Sequence, residues 1–257
     1  GTDLWLKPTK IRGVESNGML VSEREMGLSD EHDGIIEMPE DAEIGASFAA
    51  LSGLDDPVIE IAITPNHQDA LGVYGIARDL AASGFGTLKP LDTSPVAGKF
   101  ESPIGVNLNF GNVDPLPCSK FVGRYIRGVK NGPSPKWLQD KLRAIGLRPI
   151  SALVDMTNYM TFDLARPLHV FDADKINGDI QARLSEAGET LLALDGEEYK
   201  LDAETCVIAD DKTAVGLGGV MGGEVTGCSE ETVNVFIEAA LFDPVRIATT
   251  GRKLGIE

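Results

Sequence analysis

Positions 147 to 172 read LRPISALVDMTNYMTFDLARPLHVFD. This short, largely apolar stretch carries Arg148, the adjacent pair Thr157 and Asn158, and His169. An imidazole changes charge near neutral pH, so His169 is suited to holding or moving a proton. A hydroxyl and a carboxamide beside it supply donors and acceptors that can orient a polar reactant. The same residues admit a structural account, in which Thr157 and Asn158 brace a helix end and His169 is a satisfied, half-buried histidine.

The elements that must position these groups follow from local pattern. Leu153, Met156 and Met160 recur at helical spacing behind Pro149, which predicts a helix over residues 152–162. Pro167 forbids its continuation and biases Arg166 toward extended geometry, so residues 168–171 are expected as a strand. Thr157, Asn158 and His169 would then face one cleft from two rigid elements. Ahead of them, residues 121–129 read as a strand, and Ser134-Pro135 open a helix in N-cap and N1 order. Leu138, Leu142 and Ile145 form its inner face and Gly146 closes it, delivering Arg148 to the central stretch.

After His169 the pattern becomes antiparallel. Short alternating runs at 180–185, 190–194, 199–201 and 205–209 are separated by turn residues, with Asp195-Gly196 as one turn. Residues 216–223, GLGGVMGG, lack the Lys-Ser/Thr of a phosphate loop. They fit either main chain lining a tight pocket for a flat ring, or strand crowding and bulges. Residues 233–237 read as a strand that places Glu238 at its end, and Asp243-Pro244 begin a last helix with Arg252 and Lys253 near its C-terminus.

Upstream, residues 11–14 and 19–22 read as strands around an Asn17-Gly18 turn, followed by the polar cluster Asp30, Glu31, His32 and Asp33, read as an exposed loop. Residues 58–64 alternate as a strand. Asp69 is expected to cap a helix reaching Ala82, and His67 is read as a loop histidine. Proline-rich residues 89–117 read as a linker containing one extended piece at 104–110. The sum is an α+β fold, an antiparallel-rich sheet with packed helices, preceded by a small α/β segment.

Composition narrows the classes. A length of 257 residues, with 42% hydrophobic and 25% charged content, accommodates one large or two ordinary soluble domains. No apolar run is long enough to span a bilayer and no secretory signal pattern is present, so membrane insertion is not expected and a cytoplasmic location is. Three widely spaced cysteines suit neither a disulfide framework nor a zinc site, and no metal site is expected. A net charge of −17 argues against general nucleic-acid binding. The densest basic run, Arg124, Arg127, Lys130, Lys136, Lys141, Arg143 and Arg148, would serve a local contact or form a solvated helix face.

The run NGPSPKWLQDKLRAIGLRPISALVDMTNYMTFDLARPLHVFDADKING, followed by ETLLALDGEEYKLDAETCVIADD, VGLGGVMGGEVTG and NVFIEAALFDPVRIATTGRKLG, resembles the editing region of bacterial phenylalanyl-tRNA synthetase beta subunits. The resemblance implies four segments. Residues 1–50 would end an oligonucleotide-binding-fold insertion, and 51–88 would form the second half of a discontinuous first domain, where His67 stands in place of the family's usual arginine. Residues 89–117 would be a linker and 118–257 the tRNA-editing domain.

It further implies hydrolysis of tyrosyl-tRNA(Phe) and binding of the tRNA 3′ end. In that role His169, Thr157 and Asn158 would be catalytic, and Glu238, Arg148, Pro167, Gly219, Met221 and Gly222 would bind substrate. Glu238 would accept the phenolic hydroxyl, His169 would position water, and Arg148 would hold the terminal phosphate or adenosine. A further segment past Glu257 would complete the pocket. The resemblance implies no cofactor for this fragment, with ATP and Mg²⁺ used by an alpha subunit in a tetramer of two alpha and two beta chains. The alternative is a non-catalytic tRNA-binding or assembly scaffold.

Overall fold

The structure, a computed structural model, describes residues 6–29 and 31–256. It divides into two compact units, Gly1–Pro57 and Val58–Glu257. Of the polar cluster near residue 31, Asp30 lies outside the described residues.

The first unit holds the hairpin β1 (Thr9–Ile11) and β2 (Val14–Ser16) and the short helix α1 (Phe48–Leu51). Its turn falls at Arg12-Gly13 and not at Asn17-Gly18. Both turn residues take positive φ, 51° and 85°, the left-handed pair that a two-residue hairpin of matching twist requires. Residues 19–22 form no strand.

In the second unit, α2 (Val73–Ala82) is preceded by a 3-10 turn, Gln68–Ala70. Asp69 does not cap α2. Its carboxylate is taken by Arg78, and Gly72 occupies the N-cap position. Residues 58–64 form no strand, since alternation assigns faces to a segment and cannot supply a ladder partner. The small α/β segment expected here therefore contributes its helix alone.

The rest is α+β. Five strands, β3 (Val106–Asn109), β6 (Ile180–Leu184), β9 (Cys206–Ala209), β10 (Ala214–Leu217) and β11 (Met221–Gly222), form one sheet in the order β11-β10-β9-β6-β3. Only the β3–β6 pair is parallel. The residues read as a linker thus supply an edge strand, anchored by the buried side chains Ile104 and Phe110. A second sheet orders β4 (Cys118–Arg127), β12 (Asn234–Phe242) and β5 (His169–Asp172) as β4-β12-β5. The pair β7 (Thr190–Leu192) and β8 (Glu198–Lys200) forms a separate hairpin.

Three helices complete the unit: α3 (Lys136–Ala144), α4 (Ala152–Leu164) and α5 (Pro244–Leu254). α5 begins as the sequence predicts, with the Asp243 carboxylate accepting the Arg246 amide. α3 starts one residue later than expected, because Ser134 gives its hydroxyl to Asp155 and leaves Pro135 at the N-cap. Ile145 falls beyond the helix and remains exposed.

Strand alternation splits the three-stranded sheet into two faces. Val170 and Val235 pack against Leu153 of α4. Phe171 and Phe236, on the opposite face, join Ile180, Ile208 and Val215 of the five-stranded sheet in the main core. The last strand runs five residues past its expected end at residue 237, since β12 pairs through Phe242. Glu238 is therefore interior to a strand.

Asp155, fully buried, accepts from the Ser134 hydroxyl and the Ile150 amide, tying the α3–α4 connection to α4. Asp155→Ala strands both donors and is expected to cost on the order of 3 kcal/mol in urea unfolding, well above Asp140→Ala, whose half-buried carboxylate faces the exposed cations Lys136 and Arg143. Equal midpoints for the two variants would contradict this role.

Candidate functional site: a cleft at the seam of two sheets

β12 and β5 place Glu238 directly opposite His169, and β4 places Gly123 on the other side of Glu238. By period-two alternation both functional side chains share the face of Phe236 and Phe171, toward the second sheet. There the core opens into a cleft of about 440 Å³, within the range of small-molecule sites. Its walls include Leu217, Val220, Phe242 and Ile247, so its interior is largely apolar.

Glu238 is buried, and removal from water pushes its carboxyl up to about 8, so the site holds a neutral acid at neutral pH. Burial pulls His169 the other way, down to about 4, leaving a neutral imidazole. His169 Nε2 is sealed from solvent and has no hydrogen-bond partner within the protein. Its ring meets Phe171 edge to face at 4.3 Å. On another side the glycine hairpin leaves no slack, since a Cβ on Gly222 would lie 2.2 Å from His169 Cε1. The imidazole is thus clamped between Phe171 and the hairpin, with Nε2 left as a buried polar atom that no protein group satisfies.

Of the residues expected at the site, His169, Glu238, Pro167, Gly219, Met221 and Gly222 line this cleft. Arg148, Thr157 and Asn158 do not. Thr157 and Asn158 lie mid-helix, roughly 10–12 Å along the axis before the cleft begins at Ala165, and the Thr157 hydroxyl is spent on the Val154 carbonyl. Arg148 sits exposed on the α3–α4 connection. The GLGGVMGG run folds as the β10–β11 hairpin, with Gly216 opposite Gly222. Sequence reasoning missed Gln68 and Arg166, which also line the cleft. Arg166 was recoverable from its place beside Pro167. Nothing in the sequence marked Gln68.

Other candidates are placed elsewhere. The basic run is partly consumed internally: Arg127 lies 4.0 Å over the Phe100 ring, Arg124 donates to the Val96 carbonyl, and Lys136 pairs with Asp140. Cys118, Cys206 and Cys228 are free thiols, and burial raises them to about 11, 12 and 11. Glu31, His32 and Asp33 bring possible ligand atoms within 4.8 Å on an exposed loop. No helix among the described residues is long and apolar enough to cross a membrane.

The fold and site define a cleft-bearing α+β domain with a buried acid facing an imidazole. The B3/4 domain model matches residues 117–257, more than half of the chain, and the chain belongs to that family. A tRNA binding domain model matches residues 5–47. The chain is 58% identical over 256 residues to the phenylalanine–tRNA ligase beta subunit of Cereibacter sphaeroides, covering 100% of this chain and 32% of that protein. It is 59% identical over 256 residues to the one from Mesorhizobium japonicum, covering 100% of this chain and 31% of that protein. The chain therefore spans about a third of the length of these relatives. The kinship with phenylalanyl-tRNA synthetase beta subunits expected from the sequence holds over the whole chain. An N-terminal fragment of the beta subunit from Pyrococcus horikoshii shares 16% identity at a TM-score of 0.44, over 74% of this chain and 59% of that one.

Between its ordinary value of 4.5 and about 8, folded Glu238 keeps a proton that the unfolded chain has released. Stability is therefore lost as pH rises through that window. Glu238→Gln has no proton to lose, so its melting temperature should lie close to the parent's near pH 5 and exceed it by roughly 10 °C at pH 9. A constant difference across pH would contradict the buried neutral acid. His169 acts in the opposite window. Below 6.5 the unfolded chain takes up a proton that the folded chain refuses until about 4, so His169→Gln should flatten the acid limb of the same curve.

Proposed function

We propose that this chain is the proofreading part of a phenylalanine–tRNA ligase beta subunit, and that its cleft hydrolyses tyrosine wrongly esterified to the 3′ end of tRNA(Phe). The observation that carries the reading is the registered pair Glu238 and His169 in a largely apolar cleft of about 440 Å³. Phenylalanine and tyrosine differ by one hydroxyl, and an apolar pocket rejects an added hydroxyl only about a hundredfold. A buried carboxyl inverts the preference. A phenol gives it a hydrogen-bond partner, whereas phenylalanine leaves a desolvated acid unpaired, a difference on the order of 1–3 kcal/mol per lost partner.

The chemistry follows from the same placement. With the phenol at Glu238, the His169 imidazole in the cleft wall orients a water directed at the ester carbonyl carbon. Water oxygen bonds to that carbon, the bond from carbon to ribose oxygen breaks, and the water's proton ends on the ribose hydroxyl, releasing tyrosine and uncharged tRNA. An imidazole held down at about 4 is a weak base, so its contribution is chiefly to position the water. In this reading the cleft uses no cofactor. ATP and magnesium serve the aminoacylation site of an alpha subunit, two alpha and two beta chains form the enzyme, and the location is the cytoplasm. The match of residues 5–47 to a tRNA binding domain supports an RNA partner.

In the intact synthetase, His169→Ala is expected to slow tyrosyl-tRNA(Phe) hydrolysis about a hundredfold, the order of magnitude lost when a reactant is misplaced. Glu238→Ala is expected to cut the preference for tyrosine over phenylalanine about tenfold or more. Undiminished editing in both variants would leave the scaffold function as the better account.

A further inference from the structure

The floor of the cleft offers an acid, an imidazole and apolar walls, none of which suits the nucleotide that the ester would carry. The arginine expected to meet it, Arg148, does not line the cleft. Two other side chains at the cleft are uncommitted. Arg166 is the single Lys or Arg among the lining residues. It is exposed and makes no ion pair among the described residues, whereas Arg78, Arg183 and Lys253 are all paired with carboxylates. Gln68 lines the cleft from the 3-10 turn ahead of α2, and its amide makes no hydrogen bond among the described residues.

The fold brings the segments that carry these two groups to the same cleft. A Cβ on Gly72 would lie 2.5 Å from the Ala165 amide nitrogen and 3.1 Å from the Asp163 carbonyl, so the start of α2 packs backbone to backbone on the end of α4. Ala165 takes a left-handed φ of 52°, which turns the chain sharply, and Pro167 fixes the direction in which it leaves. The turn bearing Gln68 is braced in turn by the Asp69–Arg78 ion pair.

We propose that Arg166 and Gln68 form the nucleotide lip of this cleft, Arg166 binding the phosphodiester and Gln68 the edge of the terminal adenine. The proposal rests on the reading of the substrate as an aminoacyl ester of RNA. A guanidinium presents a planar fork of donors matched to phosphate oxygens. A primary amide carries one acceptor and paired donors, the set that engages adenine N6 and N7 together. Neither group reaches for the amino acid, so the lip adds affinity for the RNA end without changing the choice between tyrosine and phenylalanine.

The test separates the two halves of the ligand. The intact synthetase is titrated with the trinucleotide CCA, with CCA carrying 7-deazaadenosine, and with tyrosine. Arg166→Ala and Gln68→Ala should each weaken CCA binding at least fivefold, with Arg166→Lys intermediate, while tyrosine binding stays within twofold of the parent. Loss of N7 should weaken binding to the parent but not to Gln68→Ala. Both side chains are exposed, so unchanged melting temperatures serve as the folding control. CCA binding unaffected by either substitution, absent in the parent, or lost in step with tyrosine binding overturns the proposal. Failure of the parent to prefer tyrosine over phenylalanine would instead overturn the proofreading function, with the CCA titrations still deciding the lip.

Discussion

The rest of the site depends on one register. Glu238 on the central strand of the three-stranded sheet stands opposite His169 on one neighbour and Gly123 on the other. A shift of one residue along the β12–β5 ladder would carry one of the two side chains to the α4 face and separate the pair. Pairing on both sides, together with Phe236 and Phe171 locked in the core two positions away, makes that shift costly. The carboxyl is thereby held in a place it would not occupy for its own stability. It responds by keeping its proton, and the imidazole beside it by refusing one.

Around that register, three pieces of backbone close the cleft. The β10–β11 hairpin approaches the imidazole so closely that position 222 has no room for a side chain. The left-handed turn after α4 brings Arg166 and Pro167 to the opening. The turn before α2 adds Gln68 from a part of the chain that precedes the B3/4 region. Each contribution is made by main chain packed on main chain, or on a ring, which restricts motion more firmly than surface contacts between long side chains do.

Charge distribution fits a local role for any RNA contact. At −17 overall, the chain cannot attract a polyanion by its general field. Several of its arginines and lysines are also neutralised within the protein, by carboxylates, a carbonyl or an aromatic face. A cation left unpaired at the mouth of a cleft is worth more under these conditions than a basic run counted along the sequence.

The sequence by itself determined most of the elements in the second unit, because their signals are local: Asp243-Pro244 at a helix start, Pro167 ending α4, and alternation through the strands after His169. It also marked His169 and Glu238, through a resemblance spread over many residues. Where elements depend on partners, local pattern was insufficient. Residues 58–64 alternate yet find no strand to pair with, and residues 104–110 lacked any sign of joining the β3–β6 parallel pair. Asp69 has the character of a cap but is claimed by Arg78, nine residues away. Tertiary structure alone decided which polar groups share the cleft. It excluded Thr157, Asn158 and Arg148 and admitted Gln68 and Arg166, because membership is set by strand register and by where a helix ends, and spacing along the chain records neither.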